Sequence, residues 1–127
     1  EALYTLGTIL DHRQYLEIAT HMAEKITRLV TTDVQWVANW AALHCVLAAP
    51  TPEIAIIGPQ ADAYRQDLDR FFIPNKVVLG TENTSKLPLL QDKIAVGGKT
   101  TVYVCFNKTC QLPVHSIEEA LKQIQTA

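Results

Sequence analysis

Cys105 and Cys110 are the residues whose type and spacing first suggest chemistry, and His115 follows at the same interval of five. A thiolate serves redox exchange and metal ligation alike, and both uses require electropositive, partly exposed surroundings. Redox motifs of the thioredoxin type hold two cysteines two residues apart at a helix N-terminus, where the dipole lowers the thiol pKa. Here four residues intervene, in a turn after a strand. The pair is the candidate redox site, able to close where the turn brings the two Cα atoms within ~7 Å. Structural zinc sites favour roughly two to four intervening residues and need a fourth ligand. His44 and Cys45 are far away in sequence and no fourth ligand stands out, so no metal is expected. Against both uses, the favoured reading makes the cysteines small hydrophobes in or beside a sheet.

Other constellations are weaker. Gly97-Gly98-Lys99-Thr100 has the tail of a phosphate-binding loop, but that loop needs a glycine where Lys93 stands and a strand leading in. A turn feeding the next strand is the better reading. Gly58-Pro59-Gln60 lacks the further glycines of a dinucleotide site. Ligands of α/β sheets bind at the carboxyl ends of parallel strands, which makes Gly58, Gly80 and Asn107 the candidate ligand loops. No acid, base or nucleophile converges there, and no cofactor is expected. His12, His21, His44 and His115 are dispersed. Trp36 and Trp40, one helical turn apart, are expected to pack against a neighbouring element in preference to lining a sugar site.

The elements that must position these residues follow from periodicity. Asp11, with Gln14 three residues on, is expected to cap a helix through Tyr15, Ile18, Ala19, Met22, Ala23, Ile26, Leu29 and Val30. Thr32 with Gln35 forms a second capping box, opening a helix through Trp36, Val37, Trp40, Ala41, His44, Cys45 and Ala48 that stops before Pro50 and Pro52. The two should form an antiparallel hairpin. Ala2, Leu3, Leu6 and Leu10 already repeat at helical spacing with no cap before them, so the chain starts as though cut from something longer. Beyond Pro52 the pattern changes. Residues 53–58 form a β-branched strand; Ala61, Tyr64, Leu68, Phe71 and Phe72 share a helical face; residues 76–80 form a second strand. This is a Rossmann-like βαβ unit with parallel strands. Residues 81–100 read as a loop, 101–106 as a third strand, and Ser116 with Glu119 as the cap of a final helix through Leu121 and Ile124.

The expected fold is therefore α/β: a helical hairpin over 1–50, then over 51–127 a small, three-stranded, mainly parallel sheet with flanking helices. The 127 residues suffice for a core without staples, and a 48% hydrophobic, 19% charged composition excludes disorder as the default. A net charge of −2 with 11 scattered Lys and Arg argues against nucleic acid. No apolar run approaches the ~20 residues that cross a bilayer. An odd number of cysteines, 3 in all, argues for a reducing, cytoplasmic setting.

Phe72-Ile73-Pro74-Asn75-Lys76-Val77-Val78, Tyr103-Val104-Cys105 and Thr109-Cys110-Gln111-Leu112-Pro113-Val114 together carry a family resemblance, running from about Pro52 to Leu121. The chain resembles the carboxy-terminal tail of the thioredoxin-domain-containing proteins related to the spermatogenesis-associated family. The resemblance implies a parent with an amino-terminal thioredoxin-like domain, then a six-hairpin α/α toroid, then this tail, residues 1–50 being the end of the toroid. Only Cys105 and Cys110 match a family motif, and no catalytic residue is carried over. The implied function is a non-catalytic accessory domain whose partner is the toroid of its own parent chain, with self-association through exposed helices as a further expectation. The alternatives are a thiol redox or metal-binding module on Cys105 and Cys110, and a small-ligand module at the strand ends.

Overall fold

The computed structural model describes residues 1–126. Two compact units divide it, Glu1–Pro50 and Thr51 onward.

The first unit holds three helices where the periodicity predicted a hairpin of two: α1 (Ala2–Ile9), α2 (Arg13–Thr32) and α3 (Ala38–Ala48). Neither predicted cap forms. Asp11 takes a left-handed conformation (φ 51°) in the turn between α1 and α2, so the cap position falls on His12, whose ring stacks on Tyr15 at 3.9 Å. Thr32 is the last residue of α2. Its hydroxyl lies 3.0 Å from the Arg28 carbonyl and 2.7 Å from the Asp33 carboxylate, two acceptors for its one proton, which commits it to the helix that is ending. A 3₁₀ turn over Val34–Trp36 follows, leaving Trp36 82% exposed while Trp40, on α3, is half-buried. The expected packing of both tryptophans is therefore corrected for Trp36. Gly7 lets α1 approach α2 closely, since a Cβ there would stand 2.9 Å from the Leu16 side chain. α2 packs on α3, where His44 Nε2 lies 3.0 Å from the Ala23 carbonyl.

The second unit is an α/β sheet of four strands in the order β2-β1-β3-β4: β1 (Pro52–Ile57), β2 (Val77–Thr81), β3 (Thr101–Phe106) and β4 (Thr109–Cys110). β1 and β2 are parallel and joined through α4 (Ala61–Leu68), a βαβ arrangement. β3 runs antiparallel to both neighbours, so the expected three-stranded, mainly parallel sheet is corrected. The reason lies in the link. β2 ends at Thr81, level with Ile57, and Thr101 also pairs with Ile57. A parallel third strand would need a crossover element to carry the chain back along the sheet. Residues 82–100 contain only a 3₁₀ turn at Val96–Gly98, so the chain re-enters at the end it left and must reverse. α4 also stops at Leu68, leaving Phe71 and Phe72 beyond the helix and exposed.

β1 is buried along its whole length, as a strand paired on both edges and covered on both faces must be. On one face Ile54, Ile56, Val102 and Val104 meet Ala61 and Leu68 of α4 and Ile117 and Ala120 of α5 (Ile117–Gln125). The Ser116 cap forms as its spacing predicts. Its hydroxyl accepts from the Glu119 amide at 3.3 Å and donates to the Glu119 carboxylate at 3.0 Å.

Candidate functional site

The β3–β4 hairpin turns on Asn107 and Lys108, both with positive φ (48° and 67°), the paired left-handed residues of a two-residue hairpin turn whose twist matches the strands it joins. Phe106 pairs with Thr109, Cys105 with Cys110, and the Gln111 amide donates to the Val104 carbonyl at 2.9 Å. Pairs alternate along an antiparallel ladder, so Cys105 and Cys110 occupy the position where side chains approach most closely. They are joined as a disulfide, with Cα atoms 3.8 Å apart. Reading the cysteines as ordinary small hydrophobes is thereby corrected. Cys105 is fully buried, as that reading required, but it is bonded, and its partner Cys110 is exposed. Cys45, on α3, is a free exposed thiol.

Glu53, Cys105 and Cys110 form one row across β1, β3 and β4, with Val77 of β2 at its far end. Directly opposed residues share a face, so Glu53 and the disulfide lie on the side away from α4 and α5. Glu53 is only 9% exposed. Tyr103, two residues before Cys105, is on the same face. Its hydroxyl donates to the Ile94 carbonyl at 2.8 Å and accepts from the Ile94 amide at 3.4 Å, pinning the 82–100 link to the sheet. Lys93 stands 6.0 Å from the Tyr103 ring centroid. Burial lowers the Lys93 pKa, and the Glu53 and Asp92 carboxylates partly offset that effect. Glu53, Lys93 and Tyr103 are not among the site residues expected from the sequence. A legible signal existed for the first: a carboxylate opening an otherwise apolar run, in a strand that had to be buried.

The three candidate ligand loops are not brought together. Gly58 and Gly80 lie at one end of the sheet, but β3 is reversed, so Asn107 lies at the other, beyond the Pro52–Phe106 pair. Gly58 (φ 134°) is needed for packing, since a Cβ there would meet the Thr100 Cα at 2.7 Å. The Thr100 hydroxyl accepts from the Gln60 amide at 3.0 Å. His115 is drawn to this end too, its Nδ1 lying 3.1 Å from the Thr100 carbonyl. Thr101 and Cys105 stand four positions apart on β3, so His115 is separated from the disulfide. Among the described residues no group of three or more His, Cys, Asp or Glu could hold a metal. A groove of about 310 Å³ lies beside α4 and α5, lined by Tyr64, Asp67, Arg70, Phe71, Ile117 and Glu118.

No helix of the described residues is long and apolar enough to cross a membrane. No protein-family model, curated protein or solved structure matches the chain.

Proposed function

We propose that the chain is a non-catalytic accessory piece of a larger protein, its α/β unit a self-sufficient fold and its helical unit half of an interface. One observation carries this reading. Ile18, Met22 and Leu29 are 41%, 46% and 46% exposed, and at 100° per residue they fall within about 40° of one another on α2. The buried side of the same helix is made of Ala19 and Ala23. The apolar arc of α2 is therefore wider than α1 and α3 cover. Leu6 and Leu10 of the α1 segment add exposures of 44% and 40%. Exposed apolar side chains gathered on one side of a helix favour association, since covering them removes hydrocarbon from water.

The occupant we assign to these side chains is the paired-helix remainder of the parent chain, the partner implied by the resemblance of residues 72–78, 103–105 and 109–114. Helix pairs bury such side chains by interdigitating side-chain ridges. The test compares the chain with an Ile18→Ser, Met22→Ser, Leu29→Ser variant, using an environment-sensitive apolar dye and light scattering. The expected result is dye binding or concentration-dependent association in the parent sequence, lost in a variant of unchanged helix content. A monomer that binds no dye would overturn the reading.

A further inference from the structure

We propose that the Cys105–Cys110 disulfide is a redox-active site that accepts electrons from dithiols, with Cys110 as the sulfur attacked and Cys105 as the sulfur that leaves beside Glu53 and Lys93. This goes beyond the packing role and stands on a different unit of the chain.

Direction comes from burial. Thiol–disulfide exchange needs a thiolate to approach one sulfur in line with the bond that breaks. Cys105 is closed to solvent on a central strand, whereas Cys110 is exposed on the edge strand. An incoming thiolate therefore forms its new S–S bond to Cys110 Sγ. The Cys105–Cys110 bond breaks, and its electron pair leaves on Cys105 Sγ.

A bare thiolate at a buried position is disfavoured unless charge or a proton is supplied. On this face of the sheet the Lys93 ammonium is the charge that offsets a Cys105 thiolate, while the Glu53 carboxylate opposes it and holds Cys105 toward the protonated thiol. Glu53 faces it from β1, Tyr103 lies on the same face of its own strand, and Lys93 of the 82–100 link interacts with Glu53 and stands 6.0 Å from the Tyr103 ring centroid. In the second half of the exchange the remaining thiol of the dithiol gives up its proton, which is received at Cys105. The resulting thiolate attacks the sulfur bound to Cys110, and the mixed disulfide breaks with its electron pair on Cys110 Sγ. The dithiol becomes a disulfide, and the cysteine pair gains the two electrons, one proton resting on Cys105.

The hairpin does not depend on the bond for its pairing, which separates an exchangeable disulfide from a structural staple. The Gln111 amide holds Val104 at 2.9 Å, Val114 and Val102 exchange bonds of 2.8 and 3.0 Å, and the Gln123 side-chain amide donates to the Leu112 carbonyl at 2.8 Å. The ring closed is short, spanning a sequence separation of 5, and short rings contribute least to chain-entropy stabilisation.

The experiment uses the full chain with Cys45→Ala, removing the third thiol. It is equilibrated in dithiothreitol redox buffers and, separately, in glutathione buffers, then alkylated and analysed by mass. Expected are reversible reduction with far-UV circular dichroism unchanged, and a glutathione adduct on Cys110 in the Cys105→Ser variant. The Cys110→Ser variant should form an adduct at Cys105 at least tenfold more slowly. Glu53→Gln should shift the pH profile of Cys105 alkylation in the reduced chain. Reduction only on unfolding, or equal adduct formation at the two sulfurs, would overturn the proposal. An unchanged profile in Glu53→Gln would remove the assignment to Glu53. None of these results depends on the exposed side chains of α2.

Discussion

Glu53 stands directly opposite Cys105 in the β1–β3 ladder, a buried carboxylate beside a buried sulfur, and Lys93 reaches the same face from the link between β2 and β3. The polar groups of this unit are thus not confined to its surface. Their arrangement has consequences that can be measured.

The first concerns Lys93. Its pKa lies below 10.5 because burial disfavours the ammonium, with Glu53 acting in the opposite sense. Between the folded value and 10.5 the unfolded chain holds a proton that the folded chain has released, so this group makes stability rise with pH over that window. The difference in unfolding free energy between the parent and Lys93→Gln should grow in favour of the parent as pH climbs toward 10.5. Glu53→Gln should lower the Lys93 pKa further, as followed by NMR titration of its side chain. A rise would contradict the assignment.

Core and surface should separate cleanly. Leu68 is fully buried against the sheet, and Leu68→Ala should cost about 2–5 kcal/mol in denaturant unfolding. Phe72, although larger, is 92% exposed, and Phe72→Ser should stay within about 0.5 kcal/mol.

The Ser116 cap offers a local test. Ser116→Ala removes the acceptor for the Glu119 amide and should destabilise the chain by about 1 kcal/mol. Ser116→Thr should retain most of the stability, because its hydroxyl can both accept from the Glu119 amide and donate to the Glu119 carboxylate.

Gly58→Ala is expected to be costly although it adds one methyl group. The methyl would meet main-chain atoms of Thr100, and φ 134° is a conformation L-residues avoid. A loss of at least about 1–3 kcal/mol is expected from the backbone conformation alone. Thermal unfolding of the variant checks it, and an unchanged midpoint would contradict the packing assigned to this turn.

How far these features were legible in the sequence depended on the range of the physics behind them. The Ser116–Glu119 spacing is a local signature, and the cap it announces forms. Asp11 and Thr32 have cap-forming side chains too, but Asp11 is recruited by the turn after α1 and Thr32 bonds back to Arg28, choices that spacing alone does not distinguish. The direction of β3 was invisible because alternation of apolar residues is the same read either way. What sets it is the shape of the 82–100 link, a non-local property. β4 was missed because it is two residues long and its turn carries Asn107-Lys108 in place of the Asn-Gly that marks such hairpins. The cysteine pair was read as able to close, but its spacing said more than the favoured reading of two small hydrophobes allowed. A separation of five places two residues one step back from a two-residue turn, where antiparallel side chains come closest.

On the reading proposed above, the α/β unit completes its own core and the helical unit does not. Amide hydrogen exchange measured residue by residue tests this most directly, because local opening is easiest where few apolar contacts hold a segment. The slowest exchange is expected in β1 and β3, close to the rate set by global unfolding, and opening of α1 and of the Ile18, Met22 and Leu29 region of α2 at much lower free energy. Protection in α1 and α2 equal to that in β1 would contradict it.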